Sequence, residues 1–224
     1  MGKRRRKMTE DRRQFLGKGL RLIFSVGLLF NPLVSLVGRG YAEARKIILP
    51  KGTKRESLVS ENPSVLDTKN LEITPLQEFG TMGPTDHEVD LEKWRLEVSG
   101  HVQKPLSLSY RELVEMPSIE RNVLLICPGV FANYGRWKGI STQTILQTAG
   151  VREGATYVAV HGPPTPYTKV KRFPIDHLIS GRVFLAYQVN GQILPQRHGF
   201  PLRVVAEGYY GYDWVKYVSK VTVD

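Results

Sequence analysis

The sequence predicts an α+β domain of mixed, mainly antiparallel sheets joined by short helices. Three observations carry that expectation. Short apolar runs and period-two alternation recur along the chain, as in "TYVAVHG" and "RVFLAYQVNGQIL". Asn190-Gly191 inside the latter is a two-residue hairpin signal. Helix-period stretches are few and short, and no internal repeat, heptad or low-complexity run is present.

The elements follow in order. Residues 45–70 are polar, with few large apolar side chains, and read as an extended or partly disordered arm. "TPLQEFGTMGPTDHEVD" carries Gly80, Gly83 and Pro84 and reads as a loop. Trp94, Leu96 and Val98 alternate as a strand that turns at Gly100, and a short helix is expected near Tyr110 to Met116. Val123 to Ile126 form a continuous apolar strand, stopped after Cys127 by Pro128-Gly129, and the glycine- and aromatic-rich residues beyond read as a loop. In "STQTILQTAGV", Ser141 or Thr142 can cap a helix, Ile145, Leu146 and Ala149 share one face, and Gly150 ends it. "TYVAVHG", "RVFLAYQVNGQIL", "PLRVVAEG" and "VKYVSKVTV" supply the remaining strands.

The net charge of +11 suggests nucleic acid as a partner until its distribution is considered. Up to Ala44 ten basic residues face three acidic ones, so +7 lies there and +4 remains for the rest, an ordinary value for a soluble domain. No nucleic-acid partner is expected. The basic head is organised: Arg12-Arg13 and Phe15-Leu16 precede an apolar stretch from Leu22 to Val37, and Ala42-Glu43-Ala44 forms an A-x-A site. Residues 1–44 read as a twin-arginine signal peptide cleaved after Ala44, which places the folded protein in the periplasm or another extracytoplasmic space. Uncleaved, the same segment would leave the protein associated with the membrane, although Asn31-Pro32 interrupts an already short apolar stretch. The twin-arginine route carries folded proteins, commonly with a cofactor in place.

Cys127 is the single cysteine. It cannot form an internal disulfide, which leaves an intermolecular partner, a reactive thiol or a metal ligand. An exposed bare thiol is a liability in an oxidising compartment, and metal coordination would protect it. "HGFPLR" places His198 and Arg203 across Gly199 and Pro201 in a turn entering a strand, and Arg203 offers a planar fork for phosphate or ring oxygens. Asn133, Tyr134 and Arg136 follow the cysteine closely enough to line a substrate entrance, as could Tyr209 and Tyr210.

Several segments together resemble the molybdopterin-binding domain of the sulfite oxidase family, including its bacterial methionine sulfoxide reductase branch. They are "EFGT" from Glu78, "LLICPG" with Cys127, "WKG" from Trp137, "YVAVHG" ending at Gly162, and "HGFPLRVVAEGYYGYDWVKYVSKVTV" from His198. The resemblance covers about residues 71–224, which form the expected oxidoreductase domain. It implies the sulfite-oxidase-type fold and a molybdenum–molybdopterin cofactor whose metal is ligated by Cys127, a soft thiolate among pterin sulfurs. It further implies cofactor contacts from His198, Arg203 and Lys216, with Trp214 and Val215 beside the lysine, and from Gln77, Glu78 and Gly162.

Departures from the family refine the expectation. Thr81 stands where sulfite oxidases carry a substrate-binding arginine, so the chain is expected to reduce a sulfoxide or related S- or N-oxide rather than oxidise sulfite. The alternatives are sulfite oxidation by the same cofactor and, from another class, a non-catalytic exported binding protein that kept the fold. The matching ends at Asp224, without the extension that brings sulfite oxidases a tyrosine and a dimerisation domain, which implies an open cleft and a monomeric catalytic subunit. With no C-x-x-C-H haem motif and no iron–sulfur cysteine set, electrons must pass through a second protein, of which a membrane cytochrome is the expected type.

Overall fold

Period-two apolar patterning builds two five-stranded sheets around one core. The structure is a computed structural model that describes residues 46–165 and 168–224; the expected signal peptide lies outside them. Among the described residues no helix is long and apolar enough to cross a membrane. In chain order the elements are β1 (Ile47–Ile48), β2 (Leu66–Asp67), β3 (Leu96–Gly100), β4 (Leu106–Leu108), α1 (Tyr110–Glu115), β5 (Ser118–Cys127), β6 (Phe131–Ile140), α2 (Thr142–Ala149), β7 (Tyr157–His161), β8 (Val170–Pro174), α3 (Ile175–Ile179), β9 (Val183–Val189), β10 (Gln192–Ile193), β11 (Arg203–Ala206) and β12 (Lys220–Val223).

One sheet runs β10-β9-β6-β5 with β11 also on β9, and the other runs β4-β3-β12-β7-β8. Only the β3–β12 pairing within these two sheets is parallel, so they are mixed and mainly antiparallel, as expected. Helix α1 starts with a capping box, Ser109 accepting from the Glu112 amide while the Glu112 carboxylate accepts from the Ser109 amide. Gly150 ends α2 in the left-handed region (φ 66°). No side chain caps the start of α2; the Thr142 hydroxyl instead reaches the carbonyls of Leu178 and Val183, tying α2 to α3 and β9.

Three expectations are corrected. The stretch after Cys127 is the ten-residue strand β6, paired along its whole length with β5. Its glycines misled the reading because they serve close packing: a Cβ on Gly139 would stand 2.0 Å from the Leu185 carbonyl oxygen, and one on Gly135 would stand 2.9 Å from the Phe79 ring. The polar arm is not detached, because Leu49, Leu58 and Leu66 are buried with Leu124, Ile126, Ala132 and Tyr134 of the β5–β6 hairpin. Of "VKYVSKVTV" only Lys220–Val223 is strand; Trp214 to Tyr217 form an irregular segment, and Tyr217 has a positive φ of 52°.

Candidate active-site cleft

Strand β5 ends where its core face meets a cleft of about 670 Å³. The cleft is walled by the segments 80–87 and 211–217, by the start of β11 and by residues leading into β8. Successive side chains of β5 alternate in face, so Leu125 and Cys127 reach the cleft together with Phe131, the cross-strand partner of Cys127. The half-buried Cys127 thiol lies 3.8 Å from the sulfur of Met82. Desolvation pushes its pKa up, and the Lys169 ammonium pulls the other way. A cation, a metal included, favours its thiolate.

Arg203 opens β11 in the cleft wall and is 4% exposed. Its guanidinium stacks at 5.0 Å from the Trp137 ring and 5.4 Å from the Trp214 ring, the two indoles meeting edge to face. One Nη donates to the His198 carbonyl at 2.9 Å, while the buried Nε–H has no acceptor. Burial lowers the Arg203 pKa to about 10, which leaves it charged at neutral pH. An unpaired buried donor costs about 1–3 kcal/mol. His198 does not line the cleft; it is buried behind Arg203, and its Nε2 accepts from the Arg197 Nε–H at 3.0 Å. Desolvation, then repulsion from Arg203, Arg197 and Lys216, lowers the His198 pKa to about 4 and keeps the ring neutral.

Lys216 projects into the cleft wall and donates to the Thr81 hydroxyl (2.7 Å), the Arg197 carbonyl (2.8 Å) and the Pro84 carbonyl (3.0 Å). Burial and the neighbouring cations Arg203, Lys169 and Arg197 lower its pKa to about 8. Lys169 is a third cation on the cleft and was not singled out in the sequence. Its surface is open to solvent, yet the surrounding protein desolvates the ammonium enough to lower its pKa, with Lys171 and Arg203 adding repulsion. None of Lys169, Arg203 and Lys216 has a carboxylate within salt-bridge distance among the described residues.

The other expected residues divide. Trp214 lines the cleft, and buried Val215 supplies a carbonyl to the Val204 amide, which holds β11 beside the 214–217 segment. Gly162 is buried behind the wall, where an added Cβ would stand 3.4 Å from the Lys216 carbonyl and 3.5 Å from the Lys169 carbonyl. Gln77 and Glu78 do not line the cleft: Gln77 borders a separate groove, and Glu78 is exposed and ion-paired with Arg55. The expected entrance residues lie elsewhere. Tyr134 is buried on the opposite face of the hairpin, Arg136 is exposed at the groove of Gln77, and Asn133 holds the Gly80 backbone. Tyr209 packs on Phe173 and His177, and Tyr210 against the Leu124 cluster; Tyr212 and Tyr217 line the cleft in their place.

A cleft lined by three cations without carboxylate partners, with a thiol at its edge, fits an anionic group. The chain belongs to the oxidoreductase molybdopterin-binding domain family, which matches residues 82–224. It is therefore an oxidoreductase with a molybdenum–pterin cofactor, and the fold is the sulfite-oxidase type. The chain is 31% identical over 140 residues to the uncharacterized oxidoreductase YuiH of Bacillus subtilis, covering 62% of this chain and 69% of that one. It is 28% identical over 145 residues to the protein-methionine-sulfoxide reductase catalytic subunit MsrP of Gluconobacter oxydans (57% and 46% covered). It is 31% identical over 163 residues to a nitrate reductase [NADH] of Volvox carteri (58% and 18%). The chain thus spans about two thirds of YuiH, under half of MsrP and under one fifth of the nitrate reductase. In fold it is similar to the sulfane dehydrogenase SoxCD of Paracoccus pantotrophus, with a TM-score of 0.59 at 20% identity over 80% of this chain and 50% of that one. Among the described residues no cluster of three His, Cys, Asp or Glu side chains is placed to hold a metal alone. The cations lining the cleft fit the phosphate that such a cofactor carries.

Proposed function

We propose that the chain is an exported catalytic subunit that moves an oxygen atom in the direction that reduces a neutral sulfoxide or related S- or N-oxide. The observation that carries this reading is the wall beside Cys127. Met82, Pro128, Phe131 and Tyr212 are apolar or aromatic there, and Thr81, in the position of the sulfite oxidase arginine, is occupied with Lys216. Such a wall suits a neutral substrate with apolar groups, whereas the sulfite dianion favours converging fixed cations.

The residue roles follow from the geometry. Cys127 would hold the metal as a thiolate, and Arg203, which lines the cleft, would donate to the cofactor's phosphate or ring oxygens. Neutral His198 fixes that guanidinium through its carbonyl. Trp214 lines the wall, and Val215 and Gly162 lie behind it. The bound cofactor supplies the two-electron redox chemistry. The overall reaction is R₂S=O + 2e⁻ + 2H⁺ → R₂S + H₂O, with protons from solvent and electrons from a separate redox protein, for which a membrane cytochrome is the fitting class. The twin-arginine pattern at Arg12-Arg13 supports export, with membrane association if the segment after it is retained.

One observation favours a second reading, sulfite oxidation: Lys169 lines the same cleft as Cys127 and has no carboxylate within salt-bridge distance among the described residues. Molybdenum-loaded protein separates the two. We expect kcat/KM for a dialkyl sulfoxide with a reduced dye to exceed that for sulfite with an electron acceptor. A sulfite value about tenfold higher, equal to about 1.4 kcal/mol of transition-state preference, refutes the first reading.

A further inference from the structure

Lys216 carries three N–H donors. All three are taken by the protein: the Thr81 hydroxyl and the Pro84 carbonyl lie on the cleft-wall segment 80–87, and the Arg197 carbonyl lies on the turn before β11. The Thr81 hydroxyl passes its own proton to that Arg197 carbonyl at 3.2 Å, closing a small network. Pro84 receives a second bond from the Tyr217 hydroxyl at 3.1 Å, and the His87 ring packs on Tyr217 at 5.0 Å. At the other end of the wall Asn133 grips both backbone groups of Gly80, at 3.0 and 2.9 Å. Gly199 (φ 108°) lets the lysine stem pass, since a Cβ there would sit 3.0 Å from the Lys216 Cβ.

The geometry points to Lys216 as a positioning residue: together with Thr81 it latches the 80–87 wall, and the latch sets Met82 over Cys127. This rests on the assignment of the Cys127 cleft as the active site. It assigns Lys216 a different task from a direct side-chain contact to the cofactor. It also gives Thr81 a use, because an arginine at that position has no acceptor to offer the lysine.

Amide hydrogen exchange and alkylation of Cys127, measured on the full chain with and without its cofactor, test the latch. Thr81→Val and Lys216→Met should each raise exchange across residues 80–87 by about tenfold or more, a local opening rather than global unfolding. Cys127 in the cofactor-free chain should alkylate faster in both. Thr81→Ser keeps the hydroxyl and should match the parent, and the double variant should open the wall no further than Lys216→Met alone. Parent-like exchange in Thr81→Val, or effects that add in the double variant, overturns the latch. If Lys216→Met does not fold, Thr81→Val against Thr81→Ser decides alone. Molybdenum loss in Lys216→Met with parent-like Thr81→Val would place the lysine on the cofactor directly, overturning the latch and leaving the proposed function intact.

Discussion

The β5–β6 hairpin has two faces made by alternate residues of the same two strands, and they do different work. Leu125, Cys127 and Phe131 face the cleft, with Asn133 holding one of its walls. Leu124, Ile126, Ala132 and Tyr134 face the other way and are sealed by Leu49, Leu58 and Leu66. A shift of one residue would exchange the two sets, because the side-chain period in a strand is two. The cleft face keeps a half-buried thiol at the edge of a cavity, whereas the sealed face packs apolar side chains closely. Stability and chemistry are thus separated across a single pleated ribbon, and substitutions on its two faces should fail in different ways.

The largest contrast is expected at Cys127. Serine there replaces a soft thiolate by a hard oxygen, and turnover should fall by about a thousandfold or more, about 4 kcal/mol in the barrier. The unfolding midpoint should stay near the parent value, since the side chain is only half buried. Full activity of the serine variant would remove Cys127 from the metal site. Leu124→Ala, three residues away on the sealed face, should do the reverse. Urea unfolding should show a loss of about 2–5 kcal/mol, with kcat/KM of the remaining folded protein unchanged within about twofold.

His198 sharpens the comparison through pH. Its folded pKa of about 4 lies below the ordinary 6.5, so above pH 6.5 both states are neutral and the burial is undisturbed. As pH falls from 6.5 towards 4 the unfolded chain binds a proton that the folded chain refuses, and up to about 3 kcal/mol is lost. Cofactor-free protein should therefore lose stability over that window more steeply than its His198→Gln variant, and equal slopes would contradict the buried neutral ring.

Arg203→Ala should lower cofactor affinity by roughly ten- to a hundredfold, the equivalent of about 1.5–3 kcal/mol for one charge-assisted hydrogen bond. Molybdenum content after dilution measures it. Arg136→Ala is the matched control: its ion pair with Glu120 is long, at 3.9 Å, and exposed, so occupancy and activity should not change.

The sequence alone determined the strand-rich α+β class, the strand that ends at Cys127, the Asn-Gly hairpin and the turn that delivers Arg203. These rest on local rules of apolar period, glycine conformation and turn chemistry that a short window of residues expresses by itself. The tertiary structure decided what no window contains. It made a strand of residues 131–140, because Gly135 and Gly139 serve close approach rather than turning, and it put Tyr134 on the sealed face. It brought Lys169 to the cleft from a segment without a motif, and it moved Gln77 and Glu78 away from it. It also joined Thr81 to Lys216 across 135 residues, a pairing set by how the chain closes on itself. Local patterning fixes which residues point together along one strand, whereas the cleft is the meeting of chain segments whose approach is governed by packing.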